Sequence, residues 1–316
     1  MLSRVASSLF WMARNVERAE SNARVLESRL INALETSEYG AVAVSDWETV
    51  LDICASTEEY RTMYDACEPK DIAYYISFHR YNINSILNCM ENARNNARSI
   101  RDIIPEELWE TLNAHYLTMQ DEDYKTWSIR RVHRFLQEIK TFSYTMQGIV
   151  ESCMLREEAY HFIKIGKWLE RAEKTSRVLN VVCEKTKEAE ELTQTSHYYY
   201  WLSALQFLNG HDAYLKRFPP TMEPSQVLSF LISYEQFPRS IEYCMEHVRE
   251  GVMKLEDGKV SHYSEELFNA LDHVTNEFMK IKFQKISTEE IGPFLDRFQN
   301  DCNRISYLFA GTYYFV

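Results

Sequence analysis

The chain has 316 residues, enough for one large core or two modest ones, and its 45% hydrophobic content is that of a folded rather than a disordered protein. Only 8 Gly and 7 Pro leave too little turn punctuation for a β-rich fold of this size, while 20 Tyr and 16 Phe suit the wide seams between packed helices. A net charge of −12 without a basic patch argues against nucleic acid and against anionic membrane as partners.

Apolar spacing predicts helices over 3–37, 45–65, 70–102, 105–118, 125–153, 156–190, 196–216, 224–256, 262–284 and 288–310. Met1 leads straight into the first of these, with no signal-peptide pattern, and no apolar run reaches the roughly 18 residues of a membrane span. Pro105 suits a first helical turn ahead of Glu106 and Glu107. Pro219-Pro220 and Pro238 are expected to break or kink the second half. The seven Cys, at 54, 67, 89, 153, 183, 244 and 302, are odd in number and form no C-x-x-C, so neither a disulfide framework nor a zinc site is indicated. A reducing cytoplasm is the expected home.

Three motifs recur in order. ERAESNARVL at 17–26 returns 153 residues later as ERAEKTSRVL, with seven of ten positions identical. Trp47, Leu51 and Tyr60 return as Trp201, Leu205 and Tyr214. S-I-x-x-C-M-E-x-x-R runs from Ser85 to Arg94 and again from Ser240 to Arg249, and Glu-Pro precedes it both times, at 68–69 and 223–224. The expected architecture is therefore an all-α helical bundle of two pseudo-symmetric tandem repeats, 1–153 and 154–316. No Gly/Ser/Pro-rich linker parts them, which favours one intertwined body.

On a helical wheel centred at Val16, Leu9, Met12, Ala13, Ala19 and Ala23 form an apolar stripe. Glu20 falls inside it at about 40°, Glu17 and Arg24 on its flank, and Arg18 points away. The second copy repeats this around Leu169: Glu173 lies inside the stripe, Glu170 and Arg177 on its flank, and Arg171 takes the place of Arg18. Arg24 and Arg177 stand four residues after Glu20 and Glu173, at pairing distance along a helix. Arg94 and Arg249 also flank apolar stripes and are expected to join a charge network. Such charges either brace helices or line a polar cleft that binds a small charged ligand. Gly166, in place of Ala13, points to closer packing in the second copy.

The segments LSRVASSLFWMARNVERAESNARVL, ENARNNARSIRD with PEELWETLN, REEAYHFIKIGKWLERAE and FPRSIEYC together resemble the alpha-E family, bacterial helical proteins of undefined activity with a conserved E-R motif. The resemblance carries that motif onto Glu17, Arg18, Glu20 and Arg24, and onto Glu170, Arg171, Glu173 and Arg177. It also implies a partner: a circularly permuted ATP-grasp ligase, often with a transglutaminase-like protein nearby. ATP and Mg are then expected on the ligase and no cofactor on this chain, and the process implied is peptide or amino-acid conjugation.

Other chemistries compete. A ferritin-like carboxylate-metal oxidoreductase needs two E-x-x-H motifs, and the chain supplies one, Glu158-x-x-His161. Phosphate-binding loops and G-x-S-x-G are missing from the sequence. Cys89 and Cys244 fall near the centre of apolar faces, where a Cys acts as a small hydrophobe. The runs His197–Trp201 and Phe309–Val316 are expected either to pack on the body or to meet a ligand or partner. A ligand-free scaffold is the remaining alternative.

Overall fold

A computed structural model describes residues 1–35, 46–120, 124, 127–188, 194–280 and 288–313. Fourteen α-helices and no strand occur among them. They are α1 (Ser3–Glu35), α2 (Glu48–Ile53), α3 (Thr57–Arg61), α4 (Pro69–Phe78), α5 (Ile86–Ser99), α6 (Glu106–Thr118) and α7 (Ile129–Cys153). There follow α8 (Glu158–Glu188), α9 (Gln194–Phe207), α10 (His211–Leu215), α11 (Pro224–Ser233), α12 (Ile241–Leu255), α13 (Glu265–Lys280) and α14 (Thr288–Tyr313). Among the described residues, no helix is long and apolar enough to cross a membrane.

Four helices expected as continuous are broken in two. Residues 45–65 and 196–216 each end a helix on a left-handed residue, Ala55 at φ 51° and Asn209 at φ 50°. The Ser56 amide donates to Leu51 O and the Ala55 amide to Asp52 O, and the Gly210 and Asn209 amides do the same to Leu205 O and Gln206 O. This is the paired closure that satisfies a helix's last carbonyls. Residues 70–102 and 224–256 divide because Ser85 and Ser240 are N-caps, their hydroxyls accepting from the amides of Asn88 and Tyr243. The Glu-Pro pairs mark helix starts, with Pro69 and Pro224 in the first turn of α4 and α11, where a missing N–H costs nothing. Residues 36–37, 45, 125–126, 189–190 and 281–284 of the expected helices, and Tyr314–Val316, lie outside the described residues.

The chain divides into two compact units: Met1–Ile31 with Trp47–Lys167, and Asn32–Asp46 with Trp168–Val316. In the first, α2 neighbours α3 and α4, and α4, α5, α6 and α7 then follow one another in contact. Helix α1 joins them through Ser8, whose hydroxyl lies 3.0 Å from that of Ser99 on α5. It also meets the first turns of α8 so closely that a Cβ on Gly166 would sit 2.5 Å from the carbonyl oxygen of Phe10. In the second unit, α9 neighbours α10 and α11, and α11 to α14 follow in contact. Trp47 and Trp201 are both core residues. The run 197–201 packs by its last two members, Tyr200 and Trp201, while Tyr198 is exposed. At the other end of the second unit Phe309 is buried and the Tyr313 hydroxyl donates to Glu256 at 2.8 Å, which docks α14 through its last described turn.

Candidate functional site

Helix α1 is buried on nearly every side between Met12 and Leu30, its charged residues included. A carboxylate in such surroundings requires a counter-charge. Glu20 is 0% exposed and Arg24 5%. Arg24 Nε donates to Glu20 Oε1 at 3.0 Å, and its Nη2 donates to the same oxygen and, at 2.8 Å, to the hydroxyl of Tyr144 on α7. Burial alone lowers the pKa of Arg24, but the charge of Glu20 and the bonds to Glu20 and Tyr144 prevail and raise it. One turn on, the buried Glu27 binds Lys140 of α7 and lies 3.6 Å from His133. Tyr144, Lys140 and His133 carry no repeated pattern, so spacing along α1 gives no hint of them.

Arg18 does not point away. Its Nη1 donates to Asn84 Oδ1 at 3.4 Å, and Asn22 Nδ2 donates to Asn84 O at 2.8 Å. Both tie α1 to the loop that Ser85 closes into α5. Cys89 lies beneath the same loop, its thiol 3.7 Å from Asn84 O.

The second unit builds a like arrangement from α8. Arg171 is buried over the Trp168 ring at 4.8 Å and donates to Pro238 O at 3.3 Å. Thr175 donates to Arg239 O at 2.9 Å, and the Cys244 thiol lies 3.6 Å from Pro238 O. Glu173 and Arg177 pair at 3.4 Å with 18% and 29% of their side chains exposed. Glu170 is buried.

Arg94 and Arg249 stay outside these clusters. Arg94 Nε donates to Asn113 on α6 at 3.0 Å, and its guanidinium lies 5.2 Å over the Tyr116 ring. Arg249 donates to Asp272 on α13 at 2.7 Å, beside a concavity of about 1100 Å³ rimmed by Glu235, Glu242, Glu246 and Glu250. Burial raises the pKa of Glu242, and the like charges of Glu235 and Glu246 raise it further.

Glu17, 1% exposed, lines a pit of about 40 Å³ in the first unit. Met12, Val16, Met146, Val150 and Ile163 wall the pit, and Glu151, Lys164 and Lys167 also border it, but almost all of its accessible surface is apolar. Glu151 binds Lys164, accepts from the Tyr160 hydroxyl at 3.0 Å and lies 3.2 Å from Arg156. Burial opposes its ionisation, but these partners hold its pKa below the ordinary value. The helical wheel puts Glu17 on a flank of the stripe and, being confined to one helix, brings no residue of α7 to it.

Among the described residues, no three His, Cys, Asp or Glu side chains converge as metal ligands. Glu158 is exposed and pairs with the α-amino group of Met1 at 3.2 Å, and the His161 ring meets Tyr160 edge-on. Among the described residues no cysteine forms a disulfide: Cys67 and Cys153 are exposed, and the other five are buried. Burial pushes the Cys183 thiol up to about 12, away from nucleophilic use.

These features define an all-helical protein whose charged motif is turned inward, onto neighbouring helices and loops. The chain belongs to the Alpha-E family, whose model, described as a predicted alpha-helical domain with a conserved ER motif, matches residues 1–314. No curated protein and no solved structure matches the chain.

Proposed function

We infer that the chain is a non-autonomous helical component of an amide-bond-forming system, binding a circularly permuted ATP-grasp ligase or that ligase's peptide or amino-acid substrate. A transglutaminase-like protein belongs to the same system, and ATP and Mg act on the ligase. The observation that carries this reading is the enclosure of the E-R motif. Glu20 has no exposed surface and is held by Arg24, while Arg18 and Arg171 are bound to loops. A group that acts on a substrate must come within hydrogen-bond reach of it. These groups brace the fold, which leaves surfaces and pockets to do the recognising.

The chain is further inferred to be two copies of one seven-helix plan, α1–α7 and α8–α14. The order of neighbouring helices, the two left-handed helix ends and the Ser85 and Ser240 caps all favour that plan.

The test is to recover a tagged chain from its native cell, identify what accompanies it, and assay the recovered ligase for ATP-dependent amide formation with and without the chain. An ATP-grasp ligase that accompanies the chain and loses turnover without it is the expected result. Recovery of the chain without such a ligase, or a ligase indifferent to it, overturns the proposal.

A further inference from the structure

Along α12 of the second unit the carboxylates outnumber the cations that could answer them. Glu235, Glu242, Glu246 and Glu250 rim the concavity of about 1100 Å³ on α12 and α13, whose accessible surface is polar and apolar in nearly equal parts. Among the described residues of its lining the cations are Arg249, already taken by Asp272, and Lys254, and none of the four rim carboxylates forms an ion pair. The fold does not demand this surplus. In the first unit the motif that opens at Ser85 has Leu87 where the second has Glu242, and Arg80, five residues before Ser85, binds Glu91. Five residues before Ser240 stands Glu235, which leaves Glu246, the counterpart of Glu91, without that arginine.

A helix advances about 1.5 Å per residue, so Glu242, Glu246 and Glu250 follow one another along one face at steps of about 6 Å. The buried Met245 and half-buried Met253 give the groove an apolar floor, and methionine adapts its shape to what packs on it. A volume above the roughly 300–1,000 Å³ of small-molecule sites favours a peptide segment. Cations placed every four residues on a partner helix repeat the carboxylate step, and a hydrophobic groove accepts the apolar face of such a helix. An extended strand with cations on alternate residues has nearly the same step, but no strand edge exists among the described residues to take its backbone bonds.

We propose that this groove docks an amphipathic helix of a partner protein, with Lys or Arg at positions i, i+4 and i+8 against Glu242, Glu246 and Glu250, and an adjoining apolar stripe on Met245 and Met253. The surface goes beyond the role inferred above: it states the chemistry of a partner whether or not that partner is a ligase, and the titration that tests it contains none.

The probe is a fluorescein-labelled synthetic peptide of about 15 residues, long enough to hold a helix, with Lys at i, i+4 and i+8 and Leu on the adjoining stripe. Anisotropy titration with the full chain at physiological salt should show saturable binding at one site. A peptide of the same composition with its Lys at i, i+2 and i+4 should bind roughly tenfold or more weakly, and so should spermine as a competitor, which has the cations without the apolar stripe. Glu246→Gln with Glu250→Gln, both at exposed positions, should lower peptide affinity roughly tenfold and leave the thermal midpoint in place. Glu107→Gln with Glu110→Gln, an equal change of net charge at exposed positions of α6, should leave the affinity unchanged. The proposal falls if the peptide does not bind, if the permuted peptide or spermine binds as tightly, if the α12 variant binds unchanged, or if the α6 variant loses as much.

Discussion

The pair Glu20–Arg24 in α1 and the pair Glu173–Arg177 in α8 have the same spacing and the same residue types, yet they are different interactions. The first is sealed from solvent, doubly bonded and completed by Tyr144, whereas the second is a single longer contact with both partners partly in water. Spacing sets only whether two side chains can meet. Burial sets what the meeting is worth, because a charge without its partner is costly in proportion to how little water can replace that partner.

The largest effect that would sharpen this contrast comes from removing each arginine. Arg24→Met removes the counter-charge of the Glu20 carboxylate in the core and should lower stability by about 3–5 kcal/mol. Arg177→Met should lower it by about 0–1 kcal/mol. Urea midpoints read both, and equal shifts would break the comparison. A second difference between buried and solvated charge is set by pH. His115 of α6 stacks on Phe142 at 4.6 Å, its Nε2 is buried, and burial pulls its pKa down to about 4. Between about 6.5 and 4 the unfolded chain therefore binds the proton that the folded chain refuses. Stability should fall as pH drops through that window, by about 2–3 kcal/mol, and His115→Gln should flatten the decline in pH-dependent unfolding.

Two glycines within long helices give a smaller contrast. Gly148 in α7 has no atom within 4 Å of an added Cβ, so Gly148→Ala should add the helix-propensity gain of about 1 kcal/mol to stability, read as a higher thermal midpoint. Gly166→Ala would drive a methyl into the Phe10 carbonyl and should lower stability by about 1–2 kcal/mol despite the same gain. A further modest effect is expected from Tyr144→Phe, which removes one bond to Arg24. A loss of about 1 kcal/mol in the same denaturation assay would show that the third partner matters.

Much of the helical content was legible because apolar periodicity is local. The inward placement of Glu20 followed from the wheel alone. The breaks after Cys54 and Leu208 were not legible, since Ala55 gives no sign that it takes a left-handed conformation. The Ser85 and Ser240 caps were in plain view as Ser ahead of an apolar run, but the periodicity of the flanking residues masked them. Arg18 illustrates a different limit. A wheel knows only one helix, and the arginine's partner, Asn84, lies on a loop distant in sequence. The pit beside Glu17 was invisible for the same reason, since its lining comes from three helices.

The uneven burial of the cysteines makes the protein its own stopwatch. A thiol reagent should consume Cys67 and Cys153 at once, while the five buried thiols wait for the chain to open. Cys89 lies in the first unit and Cys244 in the second, each beneath the loop that leads into its helix. The relative pace at which mass spectrometry sees those two positions labelled should report, without any mutation, which unit loosens first.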